Sequence, residues 1–187
     1  MKLPIVAYGD PVLKKVCTPI DESYPELQTL IANMFETMYN AHGVGLAAPQ
    51  IGLPIRLFIV DTAPGDDEDK DRYRKVFINA EILEETGEPW AFNEGCLSIP
   101  EIREDVMRKP NVKIRYYDEN WQLHEEDVSG MAARVIQHEY DHIEGTLFTD
   151  KLGLLRKRML KGKLDAISRG NVYPEYKMKF PNQKKKR

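Results

Sequence analysis

Two histidines four residues apart, with a glutamate directly after the first, constrain this chain more than any other feature: Gln137-His138-Glu139-Tyr140-Asp141-His142. On a helix that spacing puts both imidazoles on one face. His138 and His142 can then share one divalent ion, while Glu139, too near the first ligand to be chelated comfortably with it, is free to handle a proton. The chain therefore needs a helix through this stretch and a third ligand from elsewhere, because catalytic sites of this kind commonly use three protein ligands and keep a position for water.

Three sources of that ligand can be compared. The extended zinc-protease pattern would put a third histidine at position 148, which is Phe148. A downstream carboxylate on a second helix is a weak option, since Asp165 is the only acidic residue between Lys151 and Asn171. Cys96, in Asn93-Glu94-Gly95-Cys96-Leu97-Ser98-Ile99-Pro100, is the better candidate: it sits between a glycine and an extended segment, where a cysteine can be presented as thiolate. Cys17 is expected to be structural, and two cysteines in a chain this size do not make a disulfide scaffold.

The rest of the chain supplies a scaffold of mixed type. Leu27, Leu30, Ile31, Met34, Phe35 and Met38 recur at helical spacing and predict an amphipathic helix over 21–41, with Pro25 in its first turn. Segments 55–61 and 75–80 read as strands, and the acidic run 64–71 between them as a surface loop without the ligand pattern of a calcium loop. Segments 112–117 and 121–128 predict a β-hairpin leading into the histidine helix, with Ser129 or Asp127 as its cap and Gly145 at its end. A second amphipathic helix is expected over 151–167, an edge strand within 173–180, and mobility over 183–187.

With 187 residues, 42% of them hydrophobic, the chain has enough apolar side chains for one domain, expected over 1–170, followed by a basic tail over 171–187. Charge is unevenly spread: residues 151–187 hold 13 Lys or Arg against 2 Asp or Glu, which leaves 14 against 28 for residues 1–150. A basic end on an acidic body suggests contact with a polyanion such as RNA, or charge compensation within the molecule. No apolar run approaches the length of a membrane span, and the start of the chain, broken by Pro4, is too short for a signal sequence. The expected compartment is the cytoplasm, with neither membrane nor DNA as partner.

Three stretches in order, Gly43-Val44-Gly45-Leu46-Ala47-Ala48-Pro49-Gln50, Glu94-Gly95-Cys96-Leu97-Ser98 and Gln137-His138-Glu139-Tyr140-Asp141-His142, resemble the signature motifs of the peptide deformylases. The resemblance implies an α+β fold with antiparallel β-sheets around a central metal-binding helix. It also implies removal of the formyl group from the N-terminal formylmethionine of nascent polypeptides. It assigns Cys96, His138 and His142 to the metal and Glu139 to general base, and it gives the oxyanion to the Gln50 amide and the Leu97 backbone N–H. Nitrogen and thiolate ligands suit Zn²⁺ and Fe²⁺; the resemblance favours Fe²⁺, replaceable by Ni²⁺, Co²⁺ or Zn²⁺.

Glycines 43 and 45 are expected to leave the backbone at Val44 open to an extended peptide, which the family pairs like an added strand near Gly95. Val44, Met131 and Val135 are placed around the methionine side chain, Arg134 near the mouth and Arg103 beyond the substrate backbone. Asp141 is expected to be a structural partner of Arg108. The alternatives are a metallopeptidase cleaving ordinary amide bonds and a non-enzymatic, metal-stabilised RNA-binding protein. The acidic loop and the prolines after Gly170 depart from the simplest family members and leave ribosome association through the basic tail as a hypothesis.

Overall fold

A computed structural model describes residues 1–183. Its centre is a five-stranded antiparallel sheet in the order β2 (Gly45–Ala47), β3 (Leu57–Asp61), β4 (Arg74–Thr86), β7 (Asn111–Tyr117) and β8 (Leu123–Ser129). The middle strands are apolar at consecutive positions, as expected of a sheet covered on both faces. Leu57, Ile59, Val76 and Ile78 pack beneath α1 (Leu27–Asn40), whereas Phe58, Val60, Phe77 and Ile114 pack beneath α2 (Gly130–Ile143). Phe58, Phe77 and Tyr116, on three adjacent strands, stack with centroid separations of 4.6 and 4.3 Å.

The other side of α2 is closed by an antiparallel hairpin of β5 (Trp90–Cys96) and β6 (Ile99–Arg108). Beyond it lies a third core, in which α3 (Leu154–Ser168) packs with Ile102, Val106, Leu147 and Phe148. The helix carrying the histidines is thus held between two β layers, as the α+β expectation requires.

Several boundaries differ from those expected. The first helix begins at Leu27 because Asp21 accepts from the backbone and hydroxyl of Ser23, holding a turn, and Glu26 sits in left-handed conformation at φ 54°. Pro25 therefore precedes the helix. β4 runs on to Thr86 through two register irregularities, its exposed glutamates facing a basic neighbour strand, as in the Glu81–Arg115 pair at 2.8 Å. Gly153 caps α3 where an interior position was expected. Ser129 is the N-cap residue of α2, although its side chain makes no capping hydrogen bond.

The break expected at residue 170 is not the end of the folded body. The chain returns, and β9 (Met178–Lys179) pairs in parallel with β1 (Ile5–Val6), so residues 171–183 belong to the domain. The short-range pattern of 173–180 could not reveal a partner more than 170 residues away. Residues 184–187, included in the expected mobile end, lie outside the described residues.

The acidic loop is moored by Asp61, a fully buried carboxylate that accepts from Arg72 Nε and Nη2 at 2.9 and 2.6 Å and from the Tyr39 hydroxyl at 2.7 Å. Burial disfavours the ionised form, but these donors outweigh it and keep the carboxyl below its ordinary range. Stability from such a group is present above the unfolded-chain pKa, about 3.9, and is lost as pH falls through the folded value. Asp61→Asn should therefore cost roughly 2 kcal/mol at neutral pH. In urea unfolding, the difference from wild type should shrink once the pH drops below about 4.

Candidate active site

The three expected ligands come together: donor atoms of Cys96, His138 and His142 all lie within 4.8 Å of one another. Cys96 ends β5, and the histidines project from successive turns of α2, with ring centroids 5.2 Å apart. Cys96 Sγ is 3.4 Å from His142 Nε2. Phe148, in the place of a third histidine, packs its ring 6.0 Å from that of His138. One thiolate and two imidazoles are a donor set suited to Zn²⁺ or Fe²⁺.

His138 is oriented from behind. Glu94 Oε2 lies 3.0 Å from His138 Nδ1, which turns the ring's Nε2 toward the ligand cluster. Glu94 also accepts from Arg108 at 2.7 and 3.0 Å and from Arg134 at 2.7 Å. Arg108 reaches on to Asp141 at 2.8 Å, the structural pair expected. Burial works against ionisation of Glu94, but the hydrogen bonds from His138 and Arg108 outweigh it and hold the carboxyl well below the usual range. Burial also opposes the His138 cation, yet contacts with Cys96 and Glu94 raise it to about 10, whereas burial pushes His142 well below its usual value. A divalent ion displaces such a shared proton on binding.

Glu139 is buried beside Gly45, and a Cβ there would come 2.8 Å from the carboxylate carbon. The second glycine of the first motif is thus required by the glutamate, a reason distinct from the open peptide backbone first expected. Burial raises the Glu139 carboxyl to about 7, which suits a group that must both take and release a proton near neutral pH. Gln50 is locked by Oε1, which accepts from Ala47 N–H at 2.9 Å, so that Nε2 faces Cys96 Sγ at 3.5 Å and Ser98 Oγ at 3.3 Å.

Gln50, Glu94, Cys96, His138 and Glu139 border one cavity of about 750 Å³. Val44, Met131 and Val135 line it, with Val44 and Met131 both 42% exposed. The Val44 carbonyl already accepts from Asp61 N–H at 2.8 Å, so its openness to a peptide is confined to the N–H and one carbonyl lone pair. Gly95 faces Arg103, whose flexible Nη1 end would lie 2.8 Å from a Cβ at that position. The Arg103 guanidinium itself donates to the side chain and carbonyl of Asn93.

Arg134 lines the cavity, as a buried side chain. It is 2% exposed, ion-paired to Glu94, bonded to the carbonyls of Trp90 and Val106, and covered by the Trp90 ring 4.2 Å away. Burial of the strand pair around it explains the difference: a guanidinium beneath a carboxylate and two carbonyls is better solvated there than its helix position alone suggests. The orienting function of Glu94 was missed as well. Its place two residues before Cys96 on a strand, hence on the same face, was the available signal.

A cysteine–histidine cluster that could hold a metal, beside a buried glutamate, is the arrangement of a metal-dependent hydrolase. The polypeptide deformylase family model matches residues 2–158, and the chain belongs to that family, whose members remove N-formyl groups from nascent peptides. It is 64% identical over 196 aligned residues to the peptide deformylase of Christiangramia forsetii and 59% identical to that of Flavobacterium johnsoniae, with full coverage of both chains in each comparison. The crystal structure of a peptide deformylase from Legionella pneumophila superposes with a TM-score of 0.80 at 38% identity, covering 91% of this chain and 98% of that one. The metallopeptidase and RNA-binding alternatives find no support among these relatives.

Replacing Glu94 with glutamine keeps its shape and removes the charge behind His138. Glu94→Gln should weaken metal affinity by about 10- to 100-fold. Chelator competition on protein whose circular dichroism is native would measure this.

Proposed function

We propose that Cys96, His138 and His142 hold one divalent metal, Fe²⁺ first and Zn²⁺, Ni²⁺ or Co²⁺ as substitutes, and that Glu139 is the general base in hydrolysis of the formyl amide. The observation that carries this is the convergence of Glu139, the Gln50 amide, Cys96 and His138 on one cavity, with His142 Nε2 3.4 Å from Cys96 Sγ just behind them. The ion, when bound, supplies Lewis-acid activation of water and of the formyl oxygen. Glu139 takes the proton of the attacking water at its carboxylate and returns it to the departing amine nitrogen. Gln50 Nε2 and the Leu97 N–H donate to the oxygen as it gains charge, and the Ala47 bond to Gln50 Oε1 fixes which end of that amide faces it.

The peptide lies extended between the backbones of Val44 and Gly95, with its methionine side chain among Val44, Met131 and Val135. Arg103, held by Asn93, borders the peptide downstream, and Arg134 acts from beneath by holding Glu94. A cytoplasmic site of action and association with ribosomes fit such a substrate. The basic excess at the C-terminal end, residues 184–187 included, supports attraction to ribosomal RNA.

Glu139→Ala should lower kcat on formyl-Met-Ala-Ser by about 10²- to 10⁴-fold while metal content is retained. The acetyl analogue should not be turned over by the wild type. Full activity of the alanine variant would remove Glu139 from the mechanism. Truncation after Gln183 spares the described fold and should weaken ribosome co-sedimentation at low salt; unchanged, salt-independent sedimentation would overturn the tether.

A further inference from the structure

Leu97 lies in the two-residue turn of the β5–β6 hairpin, between the paired residues Cys96 and Ile99. Hairpins closed by two residues favour mirror-image turns with glycine or asparagine at positive φ, because those match the twist of the strands. The turn here is Leu97-Ser98, and neither residue has positive φ. The ladder also shifts register between Gly95 and Cys96, immediately before it. The Leu97 side chain packs on the core beneath α1, which fixes where the residue sits but not how its peptide planes tilt. The orientation of this backbone therefore depends on bonds from outside the hairpin.

Those bonds come from the two ends of the chain. The Ser98 carbonyl accepts from Tyr8 N–H at 2.8 Å, and the Leu97 carbonyl accepts from the Tyr176 hydroxyl at 2.8 Å. Tyr176 belongs to the returning C-terminal segment, where Tyr173, Pro174, Glu175 and Tyr176 border the cavity together with Leu97. It is itself well held. Its ring packs on the core beneath α1, and the carbonyl of the next residue, Lys177, accepts from Ile5 N–H at 2.9 Å. A carbonyl pinned at its oxygen restrains the rotation of its own residue, and with it the direction of that residue's N–H. Hydrogen bonds weaken as the donor turns away from its acceptor, and a donor aimed at developing charge acts mainly on the transition state.

We propose that Tyr176 is a positioning residue for deformylation: by holding the Leu97 carbonyl, its hydroxyl keeps the Leu97 N–H aimed at the oxygen that gains charge. This rests on the reading of Leu97 as an oxyanion donor proposed above. The C-terminal segment thus takes part in the reaction through the backbone of a motif residue.

Tyr176→Phe removes only the hydroxyl. With the metal-loaded full chain and formyl-Met-Ala-Ser, kcat should fall roughly 5- to 30-fold at unchanged KM, part of the roughly 10²- to 10³-fold that loss of an oxyanion donor costs. A second variant carries the α-hydroxy acid counterpart of leucine at position 97, so that an ester oxygen replaces the Leu97 N–H; its kcat should fall by about 10²-fold or more. In that ester background Tyr176→Phe should have almost no further effect, because no N–H remains to be aimed. A loss of active protein or of core packing would lower kcat by the same factor in both backgrounds, so the ratio of the two effects reads the coupling alone. Wild-type kcat in Tyr176→Phe, or the same fall in both backgrounds, would overturn the positioning function while a slowed ester variant kept Leu97 as a donor. Full kcat in the ester variant would overturn the reading of Leu97 and the proposal with it.

Discussion

Glu94 is one buried carboxylate on which three cationic or hydrogen-bonding partners from two elements converge. Arg108 reaches it from β6, and Arg134 and His138 from α2. A charge so deep is costly unless fully paired, and here the pairing is shared with the metal site. The same oxygen atoms that dock the hairpin onto the helix also set the tautomer of His138, a candidate ligand. Folding and ligand geometry are therefore coupled: the hairpin cannot shift on α2 without turning His138, and Cys96 at the end of that hairpin would move with it.

This coupling explains the distribution of glycines in the motifs. Gly45 lets the Glu139 carboxylate lie against the edge of the sheet, and Gly95 makes room for Arg103. The first is a packing requirement of a buried polar side chain. A desolvated Glu139 follows from the same contact, and its raised pKa is the chemical result of how tightly α2 is laid on β2.

What was legible in the sequence follows the range of the interaction involved. The histidine helix is a local pattern, and its partner Cys96 could be selected because the nearer alternatives, Phe148 and Asp165, have the wrong chemistry or position. Strands 57–61 and 111–117 show themselves by composition, since the sheet buries them. Arg134 lines the cavity, but its burial against Glu94 was not legible, because helical phase says which face a side chain leaves from and not which partner it finds. The extension of β4 past Ala80 was hidden by glutamates that become acceptable once Arg115 lies opposite. Residues 173–180 gave a strand but no partner, and the cavity wall they form depends on an N-terminal strand of two residues that has no pattern of its own.

The parallel pairing of β1 with β9 has a consequence for how the site is assembled. Tyr8 N–H, just after β1, donates to the Ser98 carbonyl at 2.8 Å, and Ser98 Oγ in turn meets the Gln50 amide. The two ends of the chain thus meet beside the residue pair that flanks Leu97, with Tyr176 holding the Leu97 carbonyl from the other end. Contacts between chain ends close the longest possible loop and give up the most backbone freedom, so they form late relative to local helices and hairpins. The candidate ligands come from β5 and α2, whereas the stretch that follows the cysteine is also held by the N-terminal segment through Tyr8 and by the returning segment through Tyr176. Correct placement of the Leu97 backbone is therefore the part of the site most dependent on the whole fold. That dependence gives a physical reason for the C-terminal segment, outside all three motifs, to be built into the cavity rather than left as a tail.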